Sequence, residues 1–246
     1  MRATVIVVAV AVACLISGCG AVTEDPRDVF TGDRTVELAR AVTAGDRARI
    51  DDLIDRDADV DDRGTDGTSL LQWAVDSRSL TGLEALLDHD ADPEQEGRKD
   101  EPAPYYAAAW EPDRRFLQAL LDAGADPDVR YRETGSTPIF TAALHGHRDN
   151  VQTLLDAGAD PNVIDRLGEN PLFNPARANQ GGILLQLLRA EADPRLENPR
   201  GDTFQDYYFG FQANVLNDRA RAERKEIIDW LEDHDVPVVA DADQFR

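Results

Sequence analysis

A chain of 246 residues is long enough for one medium domain or one repeat array, and 42% hydrophobic residues allow a sizeable core. Its formal net charge of −22, with Lys99 and Lys225 the only lysines, argues against nucleic-acid binding and against adsorption to anionic headgroups. Both need Lys and Arg to neutralise phosphate. The acidity is either a solubility or high-salt adaptation or a means of steering a basic partner.

Residues 1–18 read as a targeting segment and are set aside from fold reasoning. Arg2 supplies a short positive region, and Val5 to Ile16 form an apolar run too short to span a bilayer comfortably. Ile16-Ser17-Gly18-Cys19 then resembles a bacterial lipobox: an aliphatic residue, two small residues and a cysteine. The resemblance implies a diacylglycerol on the Cys19 thiol and cleavage that leaves Cys19 as the mature N-terminus. Each buried methylene of an acyl chain contributes about 0.8 kcal/mol, so several chains make a lasting anchor. Residue 20 is Gly rather than Asp, which by the same resemblance implies an outer-membrane lipoprotein facing the periplasm. Cys14 falls inside the removed segment, so the mature chain would carry neither a disulfide nor a free thiol. Residues 19–33 read as the lipidated cysteine followed by a polar tether.

Beyond this point one phrase recurs: two aliphatics, a few polar residues, then Ala-Asp. It appears at Leu53-Ile54, Leu86-Leu87, Leu120-Leu121, Leu154-Leu155 and Leu187-Leu188. The following aspartates, Asp59, Asp92, Asp126, Asp160 and Asp193, stand 33, 34, 34 and 33 residues apart. A degenerate sixth copy is Trp230-Leu231 with Val236-Pro237. A fixed period of this size marks a stacked repeat.

The best copy runs Gly135-Ser136-Thr137-Pro138-Ile139-Phe140-Thr141-Ala142-Ala143, then Gly146-His147, Val151, Leu154-Leu155 and Gly158-Ala159-Asp160-Pro161-Asn162. It resembles the ankyrin repeat, with Phe140 in place of the usual His. The resemblance implies an all-α solenoid of stacked helix-turn-helix units joined by short β-hairpin loops. It would occupy residues 34–239 in about six repeats, caps included, with residues 240–246 as a polar, frayed tail. Thr137 can cap the first helix, and Pro138 suits its first turn. Gly146 permits the inter-helix turn, and Gly158 ends the second helix in a left-handed conformation. Val151, Leu154 and Leu155 share one helical face. No repeat buries that face alone, so stacking supplies the stability. The last copy carries about ten extra residues around Val215 to Arg224 before a second helix at Ile227 to Leu231.

No catalytic, cofactor or metal site emerges. Asp57, Asp59 and Asp61 imitate a calcium loop, but Asp62 holds the glycine position and Thr68 the twelfth. His145 and His147 sit at the helix turn, where His147 is better placed to bond backbone than zinc. The mature chain has no thiol nucleophile, and no G-x-S-x-G elbow, P-loop or dinucleotide fingerprint occurs.

Partner candidates are the departures from the repeat. Trp73 aligns with Thr141, a position taken as exposed, and Trp110 aligns with Leu144; each either anchors a partner or packs between repeats. Tyr131 and Arg132 fall on a hairpin and read as exposed. In the fifth repeat Pro175 aligns with the mid-helix Ala142, which implies a shortened helix or a functional site. Asn174 and Arg177 follow the polar side there. Tyr207 and Tyr208 lie in a run with five aromatics between Phe204 and Phe211. Together these imply a non-enzymatic, monomeric binding module whose partner is another protein, reached on the concave face of the third to sixth repeats. Lipid anchoring, the acidic surface and the aromatic C-terminal stretch also resemble immunity proteins that capture a secreted toxin, such as an antibacterial lipase. A periplasmic scaffold or oxidative-stress accessory is the alternative.

Overall fold

The computed structural model describes residues 25–210 and 216–245. Cys19 and the lipobox, and Phe211 and Val215 of the C-terminal repeat, lie outside the described residues. The described chain is built from paired helices: α1 (Pro26–Val29), α2 (Asp33–Ala44), α3 (Arg47–Ile54), α4 (Leu70–Asp76), α5 (Leu80–Asp88), α6 (Ala103–Trp110), α7 (Arg114–Asp122), α8 (Pro138–His145), α9 (Arg148–Asp156), α10 (Phe173–Arg177), α11 (Gly181–Arg189), α12 (Phe204–Tyr208) and α13 (Asp218–Asp233). From α2 onward each even-numbered helix is the inner member of a repeat and its successor the outer. Small inner-helix residues, Ala74, Ala107, Ala108, Ala142, Ala143 and Ala176, are buried between neighbours, which lets successive backbones approach. Leucines of the recurring pair face the same core: Leu53, Leu86, Leu120, Leu154, Leu187 and Leu231 are all buried.

Local signals act as the sequence predicts in most places. Gly146 and Gly158 adopt left-handed backbone at φ 80° and 90°. Asp46, Ser79, Asp113 and Asn217 cap the outer helices α3, α5, α7 and α13 through their side chains. Thr137 is an exception. It occupies the cap position of α8, but its hydroxyl makes no cap bond and is buried without a partner. Pro138 alone starts that helix, since its fixed φ suits the first turn.

The loops between repeats are not hairpins in the strict sense. Among the described residues the only pairings there are isolated antiparallel bridges, Arg63 with Ser69 and Glu96 with Pro102. Side chains do the joining instead. The Asp61, Glu94 and Asp128 carboxylates accept the backbone N–H of Asp92, Asp126 and Asp160 in the next repeat at 3.0, 2.8 and 3.0 Å, and Asn162 does the same for Asp193 at 2.6 Å. Arginines stitch the loop tips: Arg63 donates to the Gly97 carbonyl at 2.9 Å and Arg130 to that of Ile164 at 3.1 Å. A guanidinium presents several donors in a fixed fork, which suits this role better than an ammonium.

At one joining position, Asp128, the carboxylate carries a cost. Burial pushes the Asp128 carboxyl up; the Asp160 N–H opposes this, and the Asp126 and Asp160 carboxylates add to it. A folded-state value above the unfolded one means a contribution that is present at low pH and lost as pH rises through the folded value. Asn keeps the acceptor without the charge. Asp128→Asn should therefore raise the neutral-pH melting temperature by about 1–3 °C, and the gain should vanish near pH 4, as thermal denaturation across pH would show.

Both ends are packed further than the sequence indicated. Pro26–Val29 forms a helical turn whose Val29 and Phe30 are buried, and Phe30 meets Trp73 edge-on at 5.5 Å. The stretch read as tether is therefore docked from Pro26 onward. The tail read as frayed forms a 3-10 helix over Ala240–Phe245, with Ala242 and Phe245 buried. Phe245 packs against Phe209 and lies 5.1 Å from the buried Arg224 guanidinium. Most residues read as an insertion before the last outer helix belong to that helix, because α13 begins at Asp218 behind its Asn217 cap.

Pro175 shortens its helix rather than breaking it. α10 spans only Phe173–Arg177, so Pro175 falls in the first turn, where its missing N–H has no intrahelical partner to lose. Gly181 opens α11 beneath the Tyr208 ring. A Cβ there would stand 2.2 Å from the Tyr208 hydroxyl. Gly181→Ala should thus destabilise the fold by about 1–3 kcal/mol in urea denaturation, although alanine is the better helix former.

Candidate protein-binding surface

The inner helices end on a row of equivalent positions: Trp110, Leu144 and Arg177, spaced 34 and 33 residues like the repeat itself. Trp110 is 54% exposed and Leu144 48%. Among the described residues the other exposed large hydrophobics are Ile164 and Leu167, on the loop that leads into the fifth repeat. Tyr106 and His145 flank the Trp110 indole at 6.4 and 5.0 Å between ring centres. Among the described residues the exposed large hydrophobic side chains thus fall in the third to fifth repeats of an otherwise acidic molecule.

A second cluster forms where the row reaches Arg177. Its guanidinium makes a two-pronged bond with Glu169, with Nη1 2.6 Å from Oε2, and lies 4.3 Å from the centre of the Tyr207 ring. Tyr207 donates its hydroxyl to Asp202 at 2.8 Å and accepts from the Asn198 amide at 3.2 Å. Burial pushes the Glu169 carboxyl up, but the Arg177 guanidinium and the Asn198 amide more than offset this and hold it below the usual carboxylate range.

The remaining sequence candidates separate. Trp73 is 2% exposed and belongs to the core. Its indole N–H donates to Thr43 Oγ1 at 2.8 Å and to the Ala39 carbonyl at 3.2 Å. It therefore packs between repeats and offers nothing to a partner. Tyr208 is wholly buried on the other side of α12 from Tyr207, since adjacent helical residues point about 100° apart. Tyr131 is buried too, its ring tilted against Tyr105 at 5.1 Å and its hydroxyl on Glu133. Arg132 is exposed and pairs with Glu96 at 3.4 Å. Asn174 is half-buried, with its amide 3.4 Å from the Phe140 carbonyl. The structure thus joins Arg177 with Tyr207, keeps Trp110 in the same row, and withdraws Trp73, Tyr131 and Tyr208.

Two acidic residues were missed. Glu169 takes the place of Ser136 in the repeat pattern, and that departure was a readable signal. Glu101 carried none. It lies beside Trp110 in a recess of about 250 Å³ that Arg98, Lys99 and Tyr106 complete. Burial pushes its carboxyl above the ordinary value, against the pull of Lys99, the Trp110 indole N–H and Arg98, and Glu133 pushes the same way.

His147 Nδ1 bonds the Ala108 carbonyl at 3.0 Å, as its place at the turn predicts. Among the described residues no group of three or more His, Cys, Asp or Glu is placed to hold a metal ion. No helix there is long and apolar enough to cross a membrane.

Residues 104–198 match the family model for ankyrin repeats in three copies. The fold is similar to a crystallised ankyrin repeat domain from Acinetobacter baumannii AYE, at 25% identity and a TM-score of 0.67, over 81% of this chain and 98% of that one. It is similar to the ankyrin repeat protein EF0377 to the same extent, at 25% identity, 81% and 98% coverage and a TM-score of 0.66. No curated protein is significantly similar in sequence. The described chain has the all-helical fold of an ankyrin-repeat domain. Ankyrin repeats bind other proteins, and the row Trp110–Leu144–Arg177 lies on the inner helices that line such an array's concave side.

Proposed function

We propose that this ankyrin array is a non-enzymatic capture module, held in a bacterial envelope by lipid on Cys19, that grips a protein partner through the inner-helix face of its third to sixth repeats. The observation that carries the reading is the exposed Trp110 beside Leu144 on that face. Contiguous exposed apolar surface marks interaction sites, and exposed aromatic side chains within it serve as interface anchors. Trp110, Arg177 and Tyr207 are the anchors, with Arg132 and Asn174 at the margin. Anchoring is supported by the apolar run and the lipobox-like Ile16-Ser17-Gly18-Cys19. A periplasm-facing position and an acidic surface favour a partner that arrives from outside. The specific form of the reading is an immunity protein that blocks a delivered toxin such as a lipase.

Affinity capture from envelope extracts, read by mass spectrometry, tests both halves. One secreted protein should be enriched, and a chain carrying Cys19→Ala should bind it in solution yet lose metabolic lipid labelling and leave the membrane fraction. Unchanged labelling would remove the anchor from the proposal. Capture of nothing above a bead control would remove the partner.

A further inference from the structure

Trp110 leaves an uncommon pair of groups side by side: a half-open indole and a half-buried carboxylate. The charges around their recess are not equivalent. The Arg98 guanidinium is committed to Asp76 at 2.8 Å and to Thr68 Oγ1 at 3.1 Å, and Tyr106 donates its hydroxyl to the same Asp76. Lys99 stands on the exposed rim. Glu101 has no ion-pair partner within salt-bridge distance among the described residues; burial disfavours its charge, Lys99, the Trp110 indole N–H and Arg98 favour it, and Glu133 opposes them.

We propose that this recess seats a cationic side chain, lysine or arginine, from a basic segment of the partner protein, with its charge over the Trp110 ring and Glu101 as its counter-ion. The inference rests on the inner-helix face being the binding face. Three arguments carry it. Indole is the ring that attracts cations most strongly, and the attraction grows when water is excluded. A carboxylate already partly desolvated gains more from an incoming cation than a fully hydrated one does, because the effective dielectric around it is lower. An apolar or acidic side chain would do the reverse, covering Glu101 without a partner or repelling it. At long range the net charge of −22 steers a basic segment toward the molecule. The pair Trp110 and Glu101 then gives that attraction a fixed address.

The test follows the three indole N–H signals of the full chain, those of Trp73, Trp110 and Trp230, by nitrogen–proton NMR. The probes are Nα-acetyl-arginine amide and Nα-acetyl-lysine amide, against the neutral glutamine amide and the acidic glutamate amide. The Trp110 signal should move saturably with the two cations and stay still with the others, while the buried Trp73 stays still throughout. Glu101→Gln should weaken the cation response about tenfold, and Glu226→Gln, on the outer helix α13, should leave it unchanged. An equal response to the glutamine amide, a larger one to the glutamate amide, or indifference to Glu101→Gln would overturn the assignment. If Trp110→Ala abolishes partner capture while the arginine titration is flat, this inference falls and the binding face stands. If Trp110→Ala captures the partner normally, the face itself is wrong, and the recess assignment falls with it.

Discussion

Replacing Trp73 with alanine should cost about 3–5 kcal/mol of stability and lower the melting temperature by about 10 °C or more, whereas the same change at Trp110 should move it by no more than about 3 °C. The two tryptophans lie on neighbouring inner helices but in opposite environments. Trp73 is enclosed by the Phe30 edge and by the first two repeats, and its N–H is bonded twice. Truncation leaves a cavity between the repeats and removes both of those hydrogen bonds. Among the described aromatic rings Trp110 meets Tyr106 and His145, and half its surface already faces solvent. Partner binding should show the reverse order. Trp110→Ala should weaken it by about 2 kcal/mol or more, roughly thirtyfold, while the folded fraction of Trp73→Ala binds normally. Circular dichroism melts paired with partner titrations check both halves. A Trp110→Ala chain that melts as low as Trp73→Ala would mean that Trp110 is a packing residue after all.

Why the sequence did not separate these two is instructive. The period and the Gly-Ala-Asp phrases made the architecture legible, because each is tied to a backbone requirement that recurs in every unit. Exposure carries no such tie. Trp73 was placed by alignment with Thr141, a position taken to face solvent, yet Thr141 is itself only 3% exposed. The reference was buried, so the inference made from it failed. Trp110 aligns with Leu144, and both side chains are exposed. Tyr207 and Tyr208 show a second limit. A run of aromatics states that some must fill the core, but one residue of helical phase decides which, and a five-residue helix offers too little periodicity to fix it. The ends were misjudged for a third reason. Phe30 and Phe245 cap the first and last units, where no neighbouring repeat exists to predict their partners. Glu169 was within reach, since it breaks the pattern at Ser136, but its meaning depends on Arg177 eight residues later, which only the folded chain brings onto it.

That pair gives the second large effect. Glu169→Ala should cost about 2–3 kcal/mol at neutral pH, less than a fully buried pair because Arg177 is 34% exposed and can turn to water. Arg177→Met should cost more, about 3–4 kcal/mol, since it strands a carboxylate that is only 5% exposed. The pH dependence separates the two with opposite signs. In the native chain Glu169 is held below the ordinary carboxylate value, so its contribution is present above the unfolded value, near 4.3, and is lost as pH falls through the folded one. The penalty of Glu169→Ala should therefore be constant from about pH 6 to 8 and shrink below about pH 4.5. In Arg177→Met the largest cause of the depression is gone, and burial is opposed only by the weaker pull of the Asn198 amide and Arg200, so the Glu169 carboxyl should move above its ordinary value. That chain should then gain stability relative to its own neutral-pH value as it is acidified, over the same range in which the native protein loses it. Urea denaturation at half-unit pH intervals would show two curves that converge on acidification for the first variant, and a reversed slope for the second. A neutral-pH penalty below about 0.5 kcal/mol for both would place the pair among ordinary surface bridges. Arg177 would then be free to leave Glu169, and its stacking on Tyr207 would have to be formed by the partner rather than waiting for it.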